Sequence, residues 1–350
     1  MNLIPESNGF KKVNMKKKIS HVGWLKRISM LIAGIFIFGL IFQVITYFIG
    51  NGKLSSSLDY TKVNGNKMEY KYKGSGDYTI VFDGAIGTTL YQWDEISDRI
   101  NKELNAKTFV YNRKGYGFSD IATDRTPKEQ AMDLKILLRK AGVSGKLILV
   151  GEEYGSLIMT NFAKEYPDSV SAMILINPYS EEEVKTEEYK KKIKKLYNKS
   201  KIESKGTYFG LTILLDKLDK DITIKNFENN LSEEVKKEFD IQKNRSSYRK
   251  AIESEFKSLY EYDETSQEKG LLSGKPLYII ANNNESKSLT KLGDGELTTV
   301  YQTEISTDLI SASDSESMIN GLTKILKERK KIDKAQEKQW FKEIDNFQFV

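Results

Sequence analysis

Short apolar runs recurring between helical stretches constrain this chain more than any other feature. They are Thr108-Phe109-Val110-Tyr111, Leu147-Ile148-Leu149-Val150, Ala172-Met173-Ile174-Leu175-Ile176, Leu277-Tyr278-Ile279-Ile280 and Leu297-Thr298-Thr299-Val300-Tyr301. Each is continuously apolar rather than alternating, which predicts strands covered on both faces. Amphipathic helices are expected between them at 90–103, 127–142, 155–166 and 314–330. Strand–helix alternation of this kind gives an α/β architecture with a mostly parallel sheet flanked by helices. Upstream, Val63-Asn64-Gly65-Asn66 carries the residues of a tight turn. It predicts a hairpin feeding the apolar strand Tyr78-Thr79-Ile80-Val81-Phe82.

The alternation stops between Pro178 and Gly274, where the chain becomes dense in Lys and Glu. Helical pieces are expected there at 181–199, 208–219, 231–241 and 245–261, their charges forming solvated faces. The length fits one large domain carrying this stretch as an insertion. The expected organisation is a basic N-terminus over 1–27, a transmembrane helix over 28–50, a first core part over 51–180, a helical lid over 181–270, a second core part over 271–331 and a tail over 332–350. Met15, followed by Lys16-Lys17-Lys18, is a second candidate translation start.

The transmembrane expectation rests on an uncharged stretch from Ile28 to Gly52, longer than the roughly 20 residues needed to cross a bilayer. No small-residue cleavage pattern precedes Leu54, so the segment reads as an uncleaved anchor. Seven basic residues precede it and only Lys53 and Lys62 follow closely, which predicts a cytoplasmic N-terminus and an extracellular C-terminal domain. The same residues account for the net charge of +6. Residues 1–28 hold seven basic residues against Glu6, so the 55 basic and 49 acidic residues of the whole chain become 48 of each beyond it. A nucleic-acid partner therefore has no compositional support. The absence of cysteine excludes disulfides, thiolate catalysis and Cys-ligated metals. No P-loop or dinucleotide fingerprint occurs, so no cofactor is expected, and no ligand spacing calls for a metal.

Three motifs in order carry a resemblance. Phe82-Asp83-Gly84-Ala85 follows an apolar strand, Asn112-Arg113-Lys114-Gly115-Tyr116-Gly117-Phe118-Ser119-Asp120 follows the next, and Val150-Gly151-Glu152-Glu153-Tyr154-Gly155-Ser156 joins a strand to a helix. Together they resemble the α/β-hydrolase family: its H-G motif, its D-R-x-G-x-G-x-S-D loop and its G-x-S-x-G nucleophile elbow. The resemblance implies a nucleophile at the position held by Glu153, an acid at the position nearest Asn284 and a histidine at Thr307 or Asp308. It also implies a pocket bordered by Asp83, Gly84, Arg113 and Tyr154. The only histidine is His21, ahead of the apolar span, so every expected triad position is altered.

Each residue also has a plain structural reading. Glu153 suits a helix N-terminus, Asp83-Gly84 and Asn282-Asn283-Asn284 suit turns, and Arg113 and Ser119 suit bracing of their loop. Glu152 is expected to face solvent, and Ser156 to point into its helix. Three functional readings follow. The first is a membrane-anchored protein with a degenerate triad whose cleft binds a small molecule or an envelope partner without cleaving it. The second is an atypical hydrolase of esters, amides or glycans using Glu153, with Asp308 as a partner carboxylate. The third is a structural envelope protein that interacts through its charged lid.

Overall fold

The structure is a computed structural model, and it describes residues 21–49, 58–122, 124–282, 285–305 and 309–347. Eight strands form one sheet: β1 Asp59–Val63, β2 Asn66–Lys73, β3 Tyr78–Asp83, β4 Lys107–Tyr111, β5 Lys146–Glu152, β6 Val170–Ile176, β7 Leu277–Ala281 and β8 Thr298–Gln302. Their spatial order is β1-β2-β4-β3-β5-β6-β7-β8. The first two pairings, β1 with β2 and β2 with β4, are antiparallel, and all the others are parallel. In the β1–β2 hairpin both turn residues lie in the left-handed region, Asn64 at φ 51° and Gly65 at φ 85°. A two-residue turn of this hand matches the twist of its strands.

Most of the continuous apolar runs lie where burial on both faces demands them, but β8, expected to be covered on both faces, is the edge strand and leaves Val300 and Tyr301 exposed. Every residue of β3, β6 and β7 is buried, and each such Ile, Val or Leu contributes roughly 1.5–3 kcal/mol. Helices α2 Asp94–Glu103 and α12 Ser315–Phe347 pack on one face, and α3 Pro127–Lys140 and α4 Tyr154–Glu165 on the other. The start of α3 is fixed locally. Thr126 accepts from the Glu129 amide, the Glu129 side chain accepts from the Thr126 amide, and Pro127 occupies the first turn.

The insertion between β6 and β7 is a helical cap: α5 Glu181–Val184, α6 Glu187–Gly206, α7 Leu211–Lys217, α8 Lys225–Asn229, α9 Glu233–Gln242 and α10 Ser246–Tyr260. It closes over the carboxyl end of the sheet. Tyr248 donates to the Gly87 carbonyl, Glu255 pairs with Arg113, and Asn226 donates to the Leu309 carbonyl. Residues 310–313 form the short helix α11 Ile310–Ser313.

Two elements depart from expectation. The helix expected over 314–330 continues through the presumed tail to Phe347, because residues 331–343 are rich in helix formers and Asp333 ties the extension to the sheet. Asp333 pairs with Arg329 at 2.6 Å and with Lys146 at 2.7 Å, and accepts from the Tyr78 hydroxyl. The helix α1 His21–Ile49 is long and apolar enough to cross a membrane. It also touches the cap: the Phe36 and Phe209 rings lie 5.2 Å apart, and both polar atoms of the Gln43 amide bond to cap backbone.

Candidate active site

Strand β5 ends in Gly151-Glu152 and α4 begins at Tyr154, leaving Glu153 alone on the turn between them. Its backbone sits at φ 48° and ψ −112°, a conformation that L-residues adopt at a cost of order 1–3 kcal/mol and that concentrates at functional sites. The flanking glycines are required by close approach. A Cβ at Gly151 would collide with backbone of Gly155 and Ser156, and one at Gly155 with the Asp83 and Gly84 carbonyl groups. This is the strained strand–turn–helix geometry that presents a nucleophile above the sheet, and here it presents a carboxylate.

The half-buried Glu153 side chain accepts from the Asn177 amide and the Tyr179 hydroxyl, each at 3.4 Å, among its contacts. Both donors follow the end of β6. Tyr189 of α6 packs edge-on against Tyr179, with ring centroids 5.9 Å apart. Burial, and after it the Glu153 charge, push the Tyr179 and Tyr189 phenols well above their ordinary pKa. Both therefore stay protonated donors at neutral pH and cannot serve as bases there. Ser156 is buried, donates to the Glu153 carbonyl and accepts from the Tyr179 amide at 3.1 Å, so it is turned into the helix as expected. Asn284, Thr307 and Asp308 lie outside the described residues.

Glu152 does not face solvent: it is fully buried. As the last residue of a strand covered on both faces, its side chain has no route to water. One carboxylate oxygen accepts from the Ile310 and Ser311 amides at 2.7 and 3.1 Å, the other from Gln92 at 2.6 Å and from the Ser311 hydroxyl. Burial pushes its pKa up to about 7, although each of these hydrogen bonds favours the charged form. Glu152 thus fastens the segment after β8 to the end of β5. Gln92 and Ser311 also border a 260 Å³ cleft walled on the cap side by Phe227, Leu231 and Val235.

The expected ligand contacts Asp83, Gly84, Arg113 and Tyr154 are engaged with the protein itself. Arg113 donates to Asp83, to the Gly84 and Ala85 carbonyls at 2.9 Å, and to both oxygens of Glu255 at 2.7 and 3.1 Å. Tyr111 completes Asp83, and Tyr116 donates to Glu255 at 2.5 Å. The Tyr154 hydroxyl accepts from Gln130 at 2.9 Å. All are buried. The arrangement makes Arg113 a brace between loop, sheet and cap, and gives the ligand expectation for these four residues no support. Ser119 braces the same loop, accepting from the Glu69 amide and donating to the Asn112 carbonyl.

Sequence reasoning missed Tyr179, Tyr189, Gln92, Ser311 and Glu255. The Asn177-Pro178-Tyr179 step directly after an apolar strand was the one available signal, since strand ends supply site residues in open α/β sheets. For a metal, Asp216, Asp221 and Glu228 bring carboxylate oxygens within 4.8 Å of one another. Lys225 and Lys243 reach into the same group, Lys243 to within 2.8 Å of Asp216, and Arg249 lies 3.0 Å from Asp221. The cluster already holds its cations and reads as an ion-pair network of the cap.

Comparison with known proteins agrees with the geometry. The profile of the alpha/beta hydrolase fold matches residues 78–213, from β3 into α7. The uncharacterised Bacillus subtilis (strain 168) protein YqjL is 32% identical over 107 residues, covering 30% of this chain and 42% of that one. A cis-3-alkyl-4-alkyloxetan-2-one decarboxylase of Shewanella oneidensis is 27% identical over 118 residues, covering 33% of this chain and 36% of that one. The chain thus spans about two-fifths of the length of the curated relatives it matches. The Cif epoxide hydrolase of Acinetobacter nosocomialis superposes with a TM-score of 0.60 at 13% identity, over 81% of this chain and 96% of that one. With this strand order, this elbow turn and these likenesses, the chain has the α/β-hydrolase fold, and its residues 78–213 match the model of that family.

Proposed function

We propose that this chain is a membrane-anchored, outward-facing α/β-hydrolase-fold protein that binds a small ligand at the elbow cleft without turning it over. One observation carries the reading: Glu153 occupies the nucleophile turn, and its neighbours there among the described residues include an amide and phenols, while the only imidazole of the chain, His21, stands at the start of the apolar helix α1. A hydrolytic cycle needs a group that accepts a proton from the nucleophile or from water near neutral pH. Neither an amide nor a phenol with a raised pKa does so. The anchor reading rests on α1 and on the basic residues before its uncharged stretch.

A carboxylate flanked by two tyrosine rings suits a ligand bearing an ammonium or hydroxyl group, through a charge-assisted hydrogen bond and the negative ring faces. Titration calorimetry of the full chain with primary alkylamines, the matching alcohols and the matching carboxylic acids tests this. Amines are expected to bind best, and Glu153→Gln to weaken them about tenfold or more, the worth of one hydrogen bond to a charge. Preferential binding of the carboxylic acids, or amine binding unchanged in Glu153→Gln, would refute the reading.

A second reading is favoured by the carboxylate itself. Glu153 on a nucleophile turn beside the Tyr179 hydroxyl could attack an electrophilic carbon while the phenol protonates the leaving oxygen. It requires a base for the second, hydrolytic half of the cycle, and this separates the two readings experimentally.

A further inference from the structure

Within the cap, residues 206–215 carry no charged side chain, although Lys and Glu crowd the sequence before them and Asp and Lys the sequence after. The segment runs through a turn of 3-10 helix at 207–209 into α7. It leaves large apolar side chains in the open: Phe209 is 46% exposed, Leu214 55% and, just past α7, Leu218 54%. Leu214 and Leu218 are four residues apart and share a face. Single exposed apolar residues are ordinary, but a cluster along an uncharged segment marks an interaction surface.

The position of α1 identifies the occupant. Gly39 lies directly against the Tyr208 carbonyl, so closely that a Cβ would not fit, and Phe36 packs on Phe209. Gln43, a polar side chain inside the apolar stretch, has its amide nitrogen on the Asn244 carbonyl and its oxygen on the Ser246 amide, both at 2.9 Å. A helix rises 1.5 Å per residue, so Gly39 lies about 15 Å along the axis from Ile49. The hydrocarbon core is roughly 30 Å thick. If α1 spans it and the cap stays packed on Gly39, residues 207–218 are carried below the headgroups of the outer leaflet. Satisfaction of Gln43 by the cap has the same logic, because a side-chain amide in hydrocarbon requires partners.

We propose that segment 206–218 of the cap is a bilayer-contact surface that enters the outer half of the membrane beside α1, against the acyl chains of phospholipid. The exposed Lys205 and Lys220 border it and the exposed Lys217 lies near its end, and all three extend to anionic headgroups at its edge. This inference rests on the reading of α1 as a membrane span, and its test separates the two.

The chain has no cysteine, so single cysteines can carry nitroxide labels without background. Full-length Leu214→Cys, Leu218→Cys and Ile37→Cys, with Lys324→Cys as a control on the exposed side of α12, are labelled and reconstituted in phosphatidylcholine vesicles with and without phosphatidylglycerol. Spin relaxation by oxygen and by a water-soluble nickel chelate is then compared. At 214 and 218 the oxygen-to-nickel ratio is expected to exceed that at 324 several-fold and to approach that at 37. Sites 214 and 218 open to nickel, with 37 closed to it, would overturn the bilayer surface and leave the anchor standing. All sites open to nickel would overturn both. Sites 214 and 218 shielded from both reagents would mean that protein covers them, and this too would overturn the proposal.

Discussion

Replacing Arg113 with Met is expected to destabilise the folded domain by roughly 3–5 kcal/mol, the usual consequence of removing one partner from a buried ion-pair group. Arg113 answers two buried carboxylates, Asp83 and Glu255, and also binds the Gly84 and Ala85 carbonyls. Burial already raises the pKa of both acids, and Arg113 is the largest opposing influence on each. Without it both acids rise further and take up protons. The sign follows from linkage: a group whose folded pKa is raised binds protons more tightly when folded, so its contribution to stability falls as pH rises. The loss in Arg113→Met should therefore be larger at neutral than at acid pH. Because Glu255 belongs to α10 and Asp83 to β3, the variant should also loosen the cap. Denaturant melts at two pH values check this, with Arg113→Met/Asp83→Asn/Glu255→Gln as the companion variant expected to recover part of the loss. A loss below about 1 kcal/mol, typical of solvent-screened pairs, would show that the network is open to water.

The pH response of Glu152 is the second large effect. Its folded pKa is about 7 against an ordinary 4.5. The folded state holds this proton more tightly, so the stability it contributes is complete below pH 4.5 and lost as pH rises towards 7. The difference amounts to about 3 kcal/mol at 1.36 kcal/mol per unit. Glu152→Gln does not titrate, and Gln92, whose amide oxygen is buried without a hydrogen bond, can turn that oxygen to the new amide. Across this window the wild type should lose about 3 kcal/mol relative to Glu152→Gln. A stability difference between the two proteins that is constant with pH would mean that Glu152 is ionised throughout. Substitution by Leu instead strands the Ile310 and Ser311 amides, each unsatisfied donor costing about 1–3 kcal/mol.

The fold was legible because its signals are local or periodic. The Asn64-Gly65 turn, the continuous apolar strands and the glycines at 151 and 155 each dictate backbone geometry with little help from the rest of the chain. From them the elbow position of Glu153 could be read directly. The burial of Glu152 was not legible, because a glutamate at the end of an apolar run looks like the point where the strand meets water. The donors that make its burial tolerable come from Gln92, 60 positions away, and from residues 310–311, more than 150 positions away. Tyr189 and Glu255 were hidden for a related reason. They belong to cap helices whose charge density reads as solvated surface, and only the closure of the cap on the sheet turns them inward. The length of α12 was missed where a polar sequence gave no apolar stripe, and Lys146 and Tyr78 hold it through Asp333.

The central claim is that the elbow carboxylate binds without completing a catalytic cycle, and steady-state turnover tests it most directly. Purified full-length protein and Glu153→Gln are each incubated with p-nitrophenyl acetate and with styrene oxide, followed by product formation and by intact mass. The wild type is expected to release no more product than Glu153→Gln, with at most one stable adduct per chain, since the only imidazole of the chain, His21, stands at the start of α1 and none follows it in sequence to activate water at an ester on Glu153. Repeated turnover by the wild type that Glu153→Gln abolishes would contradict the account and make the chain a carboxylate-dependent enzyme.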